Sequence, residues 1–482
     1  MRFREHSRTG FAAMLCGVMV FSLLAVAPAS PQTAIPSTPA GKAFQGWLNA
    51  FNSGESATYG KFVRKNWPSG VKFLDNDRRF RQMTGGFDLR KVDASSTATK
   101  FVALLQERGS DQFAQVTVDV GAGNPHHITG LLLRAIPRPA EFVLPHMSMD
   151  NLVAAVRDKL QRQMAAGRFA GAVLIAKDGR PVFAQAYGLA DREHKIPNTL
   201  QTRSRIGSMN KMFTAVATLQ LAQAGKLRLD NPLEKYLPDY PNKDLATKVT
   251  IHQLLTHTGG TGDIFGKGFA AHRLELRTLD DYVNLYGKRA LLFKPGSRWA
   301  YSNYGFILLG LVVEKVTGQS YYDYVREHIY DPAGMTATGS EPENQAVPDR
   351  SVGYMDAEGK LQPNTDTLPY RGTSAGGGYS TVQDLLRFAN ALQDNKLLDA
   401  HYTQLLTVGK VDMPGSGRRY AYGFGDQTVN GTRCFGHNGG APGMGGDLEI
   451  CGNHYIVAVL VNRDPDAAQK ISDFITNRLP KE

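Results

Sequence analysis

Long apolar runs are absent from this chain of 482 residues beyond its first thirty residues. No later stretch is apolar over the roughly 20 residues that a membrane-spanning helix needs. Runs of lysine and arginine with interleaved aromatic residues are also missing, which argues against a nucleic-acid-binding protein. With 42% hydrophobic and 21% charged residues, the composition is typical of a globular protein with an ample core. The net charge of +11 fits a solvated basic surface, or one that meets anionic envelope polymers.

The first thirty residues have the pattern of a secretory signal peptide. Three arginines within the first eight residues precede the run FAAMLCGVMVFSLLAVA, and the small residues APAS follow it. This order predicts a signal peptide over residues 1–29, cleaved after Ala27 or Ala29. A retained N-terminal anchor is the alternative, while Cys16 lacks the preceding small residues of a lipoprotein. We expect a secreted protein, periplasmic or extracellular, with no stable membrane span after cleavage.

Cysteine is scarce, and only Cys434 and Cys451 remain after signal cleavage. They flank the segment FGHNGGAPGMGGDLEI, which predicts two strands around a glycine-rich turn. The two residues face each other across such an antiparallel pair, and an oxidising compartment allows them to form a disulfide. Two unpaired buried thiols are the alternative.

A small α+β domain is predicted over residues 40–136, after a polar spacer over residues 30–39. The segment AFQGWLNAFNSG has apolar residues at helical spacing and ends at Gly54, and a second helix follows. The segments KFVALLQER, QFAQVTVDV and HITGLLLRAI predict three antiparallel strands. This pattern resembles the NTF2-like (SnoaL-like) cone folds, which host pockets, enzymes and oligomerisation modules and therefore name no function. His126 and His127 are adjacent, but nothing nearby completes a metal-ligand set.

A second domain is predicted over residues 148–482, after a proline-bearing linker over residues 137–147. The segment MDNLVAAVRDKLQRQMAAG predicts an amphipathic helix, and GAVLIAKDGRPVFAQAYG predicts a hairpin that turns at Asp178-Gly179. Further strands and a closing helix lie near the end, and the long stretch between is mostly helical. A sheet built from both ends of a domain, with a helical middle, predicts two lobes with a cleft between them.

The segment IGSMNKMF opens a long apolar helix yet carries Ser208 and Lys211. Residues three apart lie on one face of a helix, so both side chains are expected to point into the cleft. A serine becomes a nucleophile when a base removes its proton, and a lysine whose pKa is lowered by burial is such a base. About one S-x-x-K is expected by chance in a chain of this length. The second one, from Ser69 to Lys72, opens no apolar helix and is interpreted as that chance match.

Two further polar elements follow in the chain. Tyr301 and Asn303 lie in a tight polar turn just before the apolar helix of YGFILLGLVVEKVTG. A tyrosine hydroxyl there is placed to relay protons, and Asn303 to hold the lysine or a substrate amide. The element GHNGG, residues 436–440, ends a predicted C-terminal strand.

With these elements in this order, residues 148–480 resemble the serine β-lactamase and penicillin-binding protein superfamily, in its class C, D-peptidase and esterase branch. The match includes RIGSMNK, IHQLLTHTGG, PGSRWAYSNYGF, GGGYSTVQDLLRFANAL and FGHNGGAPG, which together are highly specific. The resemblance implies an α+β fold. The second domain would be a two-lobed β-lactamase/transpeptidase-like domain, with an antiparallel sheet flanked by helices and an all-helical lobe, preceded by the small cone-like domain.

The resemblance also implies a role for each matching residue. Ser208 would form the acyl-enzyme, while Lys211 and Tyr301 would share the proton transfer. Asn303 would orient the substrate and the lysine. The backbone N–H groups of Ser208 and Gly440 would form the oxyanion hole. The remaining residues of the third motif would bind or orient the substrate: His437, Asn438 and Gly439.

The chain departs from the β-lactamase pattern in its third motif. His437 takes the place that many β-lactamases give to a lysine, and a histidine carries charge less reliably at neutral pH. H-x-G instead resembles D-alanyl-D-alanine carboxypeptidases, D-aminopeptidases and some esterases of this branch. Pro442 argues against a long peptide that pairs with the strand edge, because proline has no N–H. The HTGG segment at residues 257–260 is expected to form a structural loop near the cleft.

We therefore expect a secreted serine hydrolase that acts through an acyl-enzyme on a D-amino-acid peptide, a small ester or a β-lactam amide. Peptidase or esterase activity is favoured over true β-lactamase activity. No metal, organic cofactor or nucleic acid is expected, and the partner is a small-molecule or short-peptide substrate, with peptidoglycan fragments among the options. The alternative is a non-catalytic protein of the penicillin-binding fold that serves as a cell-envelope binding module.

Overall fold

The computed structural model describes residues 34–123, 125–357 and 360–481. The predicted signal peptide lies outside these ranges. Across them, no helix has the length and apolar character needed to cross a membrane. Buried apolar side chains form three clusters, one in the first part of the chain and one on each face of a large sheet in the second part.

Three helices and a four-stranded antiparallel sheet form the first part. The helices are α1 (Pro39–Asn52), α2 (Ser56–Asn66) and α3 (Leu74–Thr84), and the strands, in their order in the sheet, are β1 (Phe87–Val92), β2 (Lys100–Glu107), β3 (Phe113–Val120) and β4 (Ile128–Ile136). Helix α1 packs on the sheet, with the rings of Phe44 and Phe101 stacked at 4.3 Å between centroids. Helix α3 and strand β1 are not predicted from the sequence, because LDNDRRFRQMT and FDLRKV have few apolar residues to show a period. The NTF2-like assignment of this part stays a prediction, as do the domain boundaries.

An eight-stranded antiparallel sheet is the centre of the second part. Its strands, in pairing order, are β13 (Val411–Asp412), β14 (Arg419–Tyr420), β15 (Gly425–Val429), β16 (Thr432–Ala441), β17 (Met444–Cys451), β18 (Tyr455–Val461), β5 (Gly171–Lys177) and β6 (Arg180–Tyr187). The hairpin β5–β6 turns at Asp178-Gly179, where φ is 50° and 74°, the two positive values that a type I′ turn requires. Cys434 and Cys451 are partners across β16 and β17 and form a disulfide.

Both faces of this sheet are covered by helices. Strand β18 is buried along its whole length. Its odd-numbered residues from 457 to 461 pack with α4 (Met149–Ala165) and α15 (Asp466–Thr476), while its even-numbered residues from 456 to 460 pack with the helical region. This alternation is the period of two that a strand imposes on its side chains.

The region between β6 and β13 is mostly helical. Its helices are α5 (Asn210–Gln223), α6 (Lys243–Lys248), α7 (Ile251–Leu255), α8 (Lys267–His272), α9 (Leu279–Tyr286), α10 (Asn303–Thr317), α11 (Tyr321–Val325), α12 (Asp331–Ala333), α13 (Val382–Gln393) and α14 (Ala400–Thr407). An all-helical lobe is predicted here, but the region also contains three short antiparallel strand pairs. They are β7 (Leu189–Asp191) with β8 (Ile196–Pro197), β9 (Ser204–Arg205) with β12 (Tyr379–Ser380), and β10 (Tyr354–Ala357) with β11 (Lys360–Pro363). The start of α5, the start of α10 and strand β16 converge at one place.

Candidate active site

Ser208 lies in a single 3-10 turn, Gly207–Met209, that leads directly into α5. Gly207 has a φ of 53°, in the left-handed region that favours glycine. Strand β16 runs against this turn so closely that a Cβ on Gly439 would lie 1.9 Å from the carbonyl oxygen of Ile206. The glycines of both segments therefore allow the strand to pass beside Ser208.

Lys211 is fully buried one helical turn after Ser208. Its Nζ lies 3.2 Å from Ser208 Oγ and 2.7 Å from Asn303 Oδ1, and it also contacts the carbonyl oxygen of Ala375. Burial lowers the pKa of Lys211 to about 7, against the opposing attraction of Asp263. A substantial share of this amine is therefore neutral at neutral pH and free to accept a proton.

Tyr301 presents its ring to the same amine, with Lys211 Nζ 4.7 Å from the ring centroid. Burial raises the pKa of Tyr301 above its ordinary value, although the interaction with Ser208 opposes that shift. The phenol therefore carries its proton at neutral pH and is a hydrogen-bond donor beside Ser208.

Asn303 is the first residue of α10 and is held from two sides. Its Oδ1 accepts from Lys211, while its Nδ2 donates to Asp263 Oδ1 at 2.8 Å. The amide is thus oriented with its oxygen towards the lysine. Asp263 is not predicted from the sequence, because it belongs to no recognisable motif.

His437 is buried on β16, with 8% of its surface exposed. Its Nδ1 contacts the carbonyl oxygen of Asn438, and its Nε2 lies 3.1 Å from Tyr420 Oη. A carbonyl only accepts, so Nδ1 carries the hydrogen and Nε2 accepts from the tyrosine. Burial and the nearby Lys211 lower the pKa of His437 to about 3. The imidazole is therefore neutral, and both of its nitrogens are bonded within the protein.

His257, in the HTGG segment, supports the Tyr301 turn from behind. It is buried to 1% exposure with a φ of 59°. Its Nδ1 accepts from the backbone N–H of Ser302 at 3.1 Å, and its ring centroid lies 4.3 Å from that of Tyr301. The sequence predicts only a structural loop here, because no spacing rule shows that this backbone turns the ring onto Tyr301.

A cleft of about 320 Å³ is lined by Ser208, Tyr301, His437, Asn438, Gly439, Gly440, Pro465, Asp466 and Gln469, while the buried Lys211 and Asn303 are not part of its lining. Asn438 is exposed and its Nδ2 donates to Gln469 Oε1 at 3.1 Å. The second S-x-x-K lies elsewhere, in a 3-10 turn over Pro68–Phe73 in the first part of the chain. In the described ranges, no group of three or more His, Cys, Asp or Glu side chains is placed to hold a metal ion.

Known proteins share this sequence pattern and fold. A family model described as Beta-lactamase matches residues 156–479. The penicillin-binding protein PbpX of Bacillus subtilis (strain 168) is 33% identical over 262 residues, which are 53% of this chain and 62% of that protein. Esterase EstB of Burkholderia gladioli is 33% identical over 291 residues, which are 53% of this chain and 73% of EstB.

A solved structure also has a similar fold. The D-stereospecific amidohydrolase from Streptomyces sp. superposes with a TM-score of 0.58 at 30% identity, over 67% of this chain and 97% of that one. The chain spans less than two thirds of the length of PbpX. The family match nevertheless covers more than half of this chain and includes all the cleft residues from Ser208 to Gln469. The chain therefore belongs to the beta-lactamase family of serine hydrolases, which includes penicillin-binding proteins and esterases.

Proposed function

We propose that this protein is a hydrolase in which the substrate acylates Ser208. One observation carries the proposal: the Nζ of Lys211, fully buried and with a pKa lowered to about 7, lies 3.2 Å from Ser208 Oγ. A nucleophilic serine needs a base within hydrogen-bond reach whose pKa is near the working pH, and Lys211 meets both requirements. A non-catalytic binding module would have no use for a buried lysine, since removing an ammonium from water is unfavourable.

The proposed reaction uses this geometry. Neutral Lys211 accepts the Ser208 proton as Oγ bonds to the carbonyl carbon of the substrate. The N–H groups of Ser208 and Gly440 stabilise the oxyanion of the tetrahedral intermediate. Tyr301 donates its proton to the leaving group as the scissile bond breaks, and Lys211 returns a proton to the phenolate. Water then attacks the acyl-enzyme along the reverse path, releasing the carboxylic acid and Ser208.

The charge of the cleft favours substrates without a carboxylate beside the scissile bond. His437 stands where a cation would bind such a carboxylate, but it is neutral and both of its nitrogens are occupied. We therefore propose small esters or D-amino-acid amides as substrates, ahead of β-lactams. The names of EstB and of the Streptomyces amidohydrolase are in line with this choice.

An extracytoplasmic location is also proposed. The N-terminal sequence has the order of a signal peptide. The disulfide between Cys434 and Cys451 supports it, because disulfides persist mainly in oxidising compartments.

Steady-state hydrolysis of a neutral p-nitrophenyl ester, a D-amino-acid p-nitroanilide and a penicillin tests the proposal. We expect the first two to be turned over with a higher kcat/KM than the penicillin. Ser208→Ala should reduce turnover by at least about 10³-fold. Ser69→Ala, in the second S-x-x-K, is the matched control and should leave turnover unchanged. Wild-type turnover in the Ser208→Ala protein would refute the assignment.

A further inference from the structure

A second cavity, of about 500 Å³, is larger than the cleft at Ser208. Its walls come from the start of α9, from α10 and α11, and from the segment around residues 338–342, with Arg371 at one side. It shares no lining residue with the cleft at Ser208. The proposed hydrolase reaction does not use this cavity.

Arg371 is held in place in this cavity without a carboxylate partner. Its guanidinium carbon lies 3.4 Å from the centroid of the Tyr322 ring, and its Nε donates to the carbonyl oxygen of Ser340 at 2.9 Å. Tyr322 is fixed in turn by a hydrogen bond from its Oη to the Gly372 carbonyl at 3.1 Å. Among the described residues, Arg371 forms no ion pair. Its two Nη groups donate to no acceptor among the described residues, although the positive charge of Arg371 is close enough to favour the charged forms of Glu314 and Asp323.

Arg277, on another wall, is also without an ion-pair partner in the described part of the chain. Its guanidinium carbon lies 5.2 Å from the Tyr370 ring centroid. Arg326 is the contrast within the same lining, because it is ion-paired to Asp323 at 2.9 Å and to Glu327 at 3.2 Å. Two of the three lining guanidiniums therefore have no ion-pair partner among the described residues.

The carboxylates of the lining are already bonded within the protein. Asp323 accepts from Ser320 Oγ at 2.6 Å as well as from Arg326. Glu314 Oε1 accepts from the backbone N–H of Tyr321 at 2.9 Å. The remaining lining carboxylate, that of Glu341, accepts from the hydroxyl of Tyr379. Each lining carboxylate therefore has at least one partner within the protein, whereas no hydrogen bond from the Nη groups of Arg371 is formed to any described residue.

We propose that this cavity binds a small organic anion whose carboxylate or phosphate group is bonded by Arg371 and Arg277. A guanidinium fork matches the oxygen pair of either group, and stacking on Tyr322 removes much of the ordering entropy that binding would otherwise require. Arg371 also directly precedes Gly372–Ala375, and the Ala375 carbonyl contacts Lys211. A ligand on Arg371 therefore sits at the outer end of a segment that reaches the buried amine.

Titration calorimetry on the full-length protein tests this site. The protein carries Ser208→Ala so that nothing is turned over, and ionic strength is fixed because salt screens such contacts. N-acetyl-D-alanine supplies a carboxylate, glycerol 3-phosphate supplies a phosphate, and N-acetyl-D-alaninamide is the neutral match. We expect saturable binding of at least one anion, and the one that binds better identifies the group. Binding should weaken by about tenfold or more in Arg371→Gln and in Arg277→Gln, and remain in the ion-paired control Arg326→Gln.

Four results would overturn the proposal: saturable binding by neither anion, equal binding of the amide, binding that survives both arginine substitutions, or equal weakening by Arg326→Gln. Arg371→Gln removes the stack on Tyr322 and is checked by circular dichroism. If that variant misfolds, the exposed Arg277 decides the question alone.

Discussion

The protonation of Lys211 sets the pH dependence of the proposed reaction. The base must be neutral, and burial lowers the pKa of Lys211 to about 7. We therefore expect kcat/KM for a neutral ester to rise with pH through about 7 and then level. Lys211→Ala should lower it by about 10² to 10⁴. Lys211→Arg should be as inactive, because a guanidinium does not lose its proton.

An active Lys211→Arg protein would contradict this role, since it would show that the lysine acts only as a charge. Asn303→Ala is the matched comparison, because it removes a hydrogen-bond partner of Lys211 but no proton acceptor. It should lower activity, but the remaining activity should still require Lys211 as the proton acceptor, so that Lys211→Arg stays inactive in this background.

The lowered pKa of Lys211 also has a consequence for stability. The unfolded chain holds the Lys211 proton up to about 10.5, whereas the folded protein releases it near 7. Between these values the unfolded state binds more protons, so the free energy of unfolding rises with pH. We expect wild type to gain stability relative to Lys211→Met across this range, by an amount on the order of a few kcal/mol. Urea denaturation at both ends of the range measures it, and a constant difference would contradict the lowered pKa.

The charge state of His437 determines how substrate preference should depend on pH. Its pKa is lowered to about 3, so it stays neutral between about pH 5 and pH 8. The ratio of kcat/KM for a penicillin to that for a neutral ester should therefore be constant over this range, because Lys211 affects both substrates alike. His437→Lys should raise the ratio by adding a cation. A wild-type ratio that falls as pH rises through about 6.5 would show a charged imidazole instead.

At the scale of elements, the site depends on how closely β16 passes the turn at Ser208. A Cβ on Gly439 would lie 1.9 Å from the Ile206 oxygen, an overlap that only backbone movement relieves. Gly439→Ala should therefore abolish ester turnover and lower Tm. Gly123→Ala is the matched control, because nothing lies within 4 Å of its added Cβ and its effect should be small. A fully active Gly439→Ala protein would show that β16 tolerates displacement from the turn.

The sequence predicts elements whose residues repeat with a clear period or carry a known spacing. The β5–β6 hairpin and the buried helix after Ser208 are predicted in this way, and the structure has both. The role of Asn303 is instead an expectation from the family resemblance, and the structure has its Oδ1 2.7 Å from Lys211 Nζ. The carbonyl of Ala375 was not predicted, because a backbone acceptor has no side-chain signature. The neutral state of His437 was not predicted either, since it depends on burial and on the nearby charge of Lys211.

At the scale of the whole molecule, the first part of the chain contacts the helix that borders the cleft. Arg478, just beyond α15, donates to Asp111 through Nη2 at 3.0 Å. Lys470 on α15 contacts the carbonyl oxygen of Met83 and is ion-paired at 2.9 Å to Asp466, which lines the cleft. The two parts are therefore joined through α15, whose first turn forms one wall of the site.

The central claim is that one serine of the whole chain is acylated, and peptide mass analysis after labelling tests it most directly. The full-length protein is treated with a fluorophosphonate and digested with trypsin, which releases Ile206–Lys211 as a single peptide. We predict that the added mass lies on this peptide, that it disappears in Ser208→Ala, and that it persists in Ser69→Ala. Label on a different peptide, or label that survives Ser208→Ala, would contradict the claim.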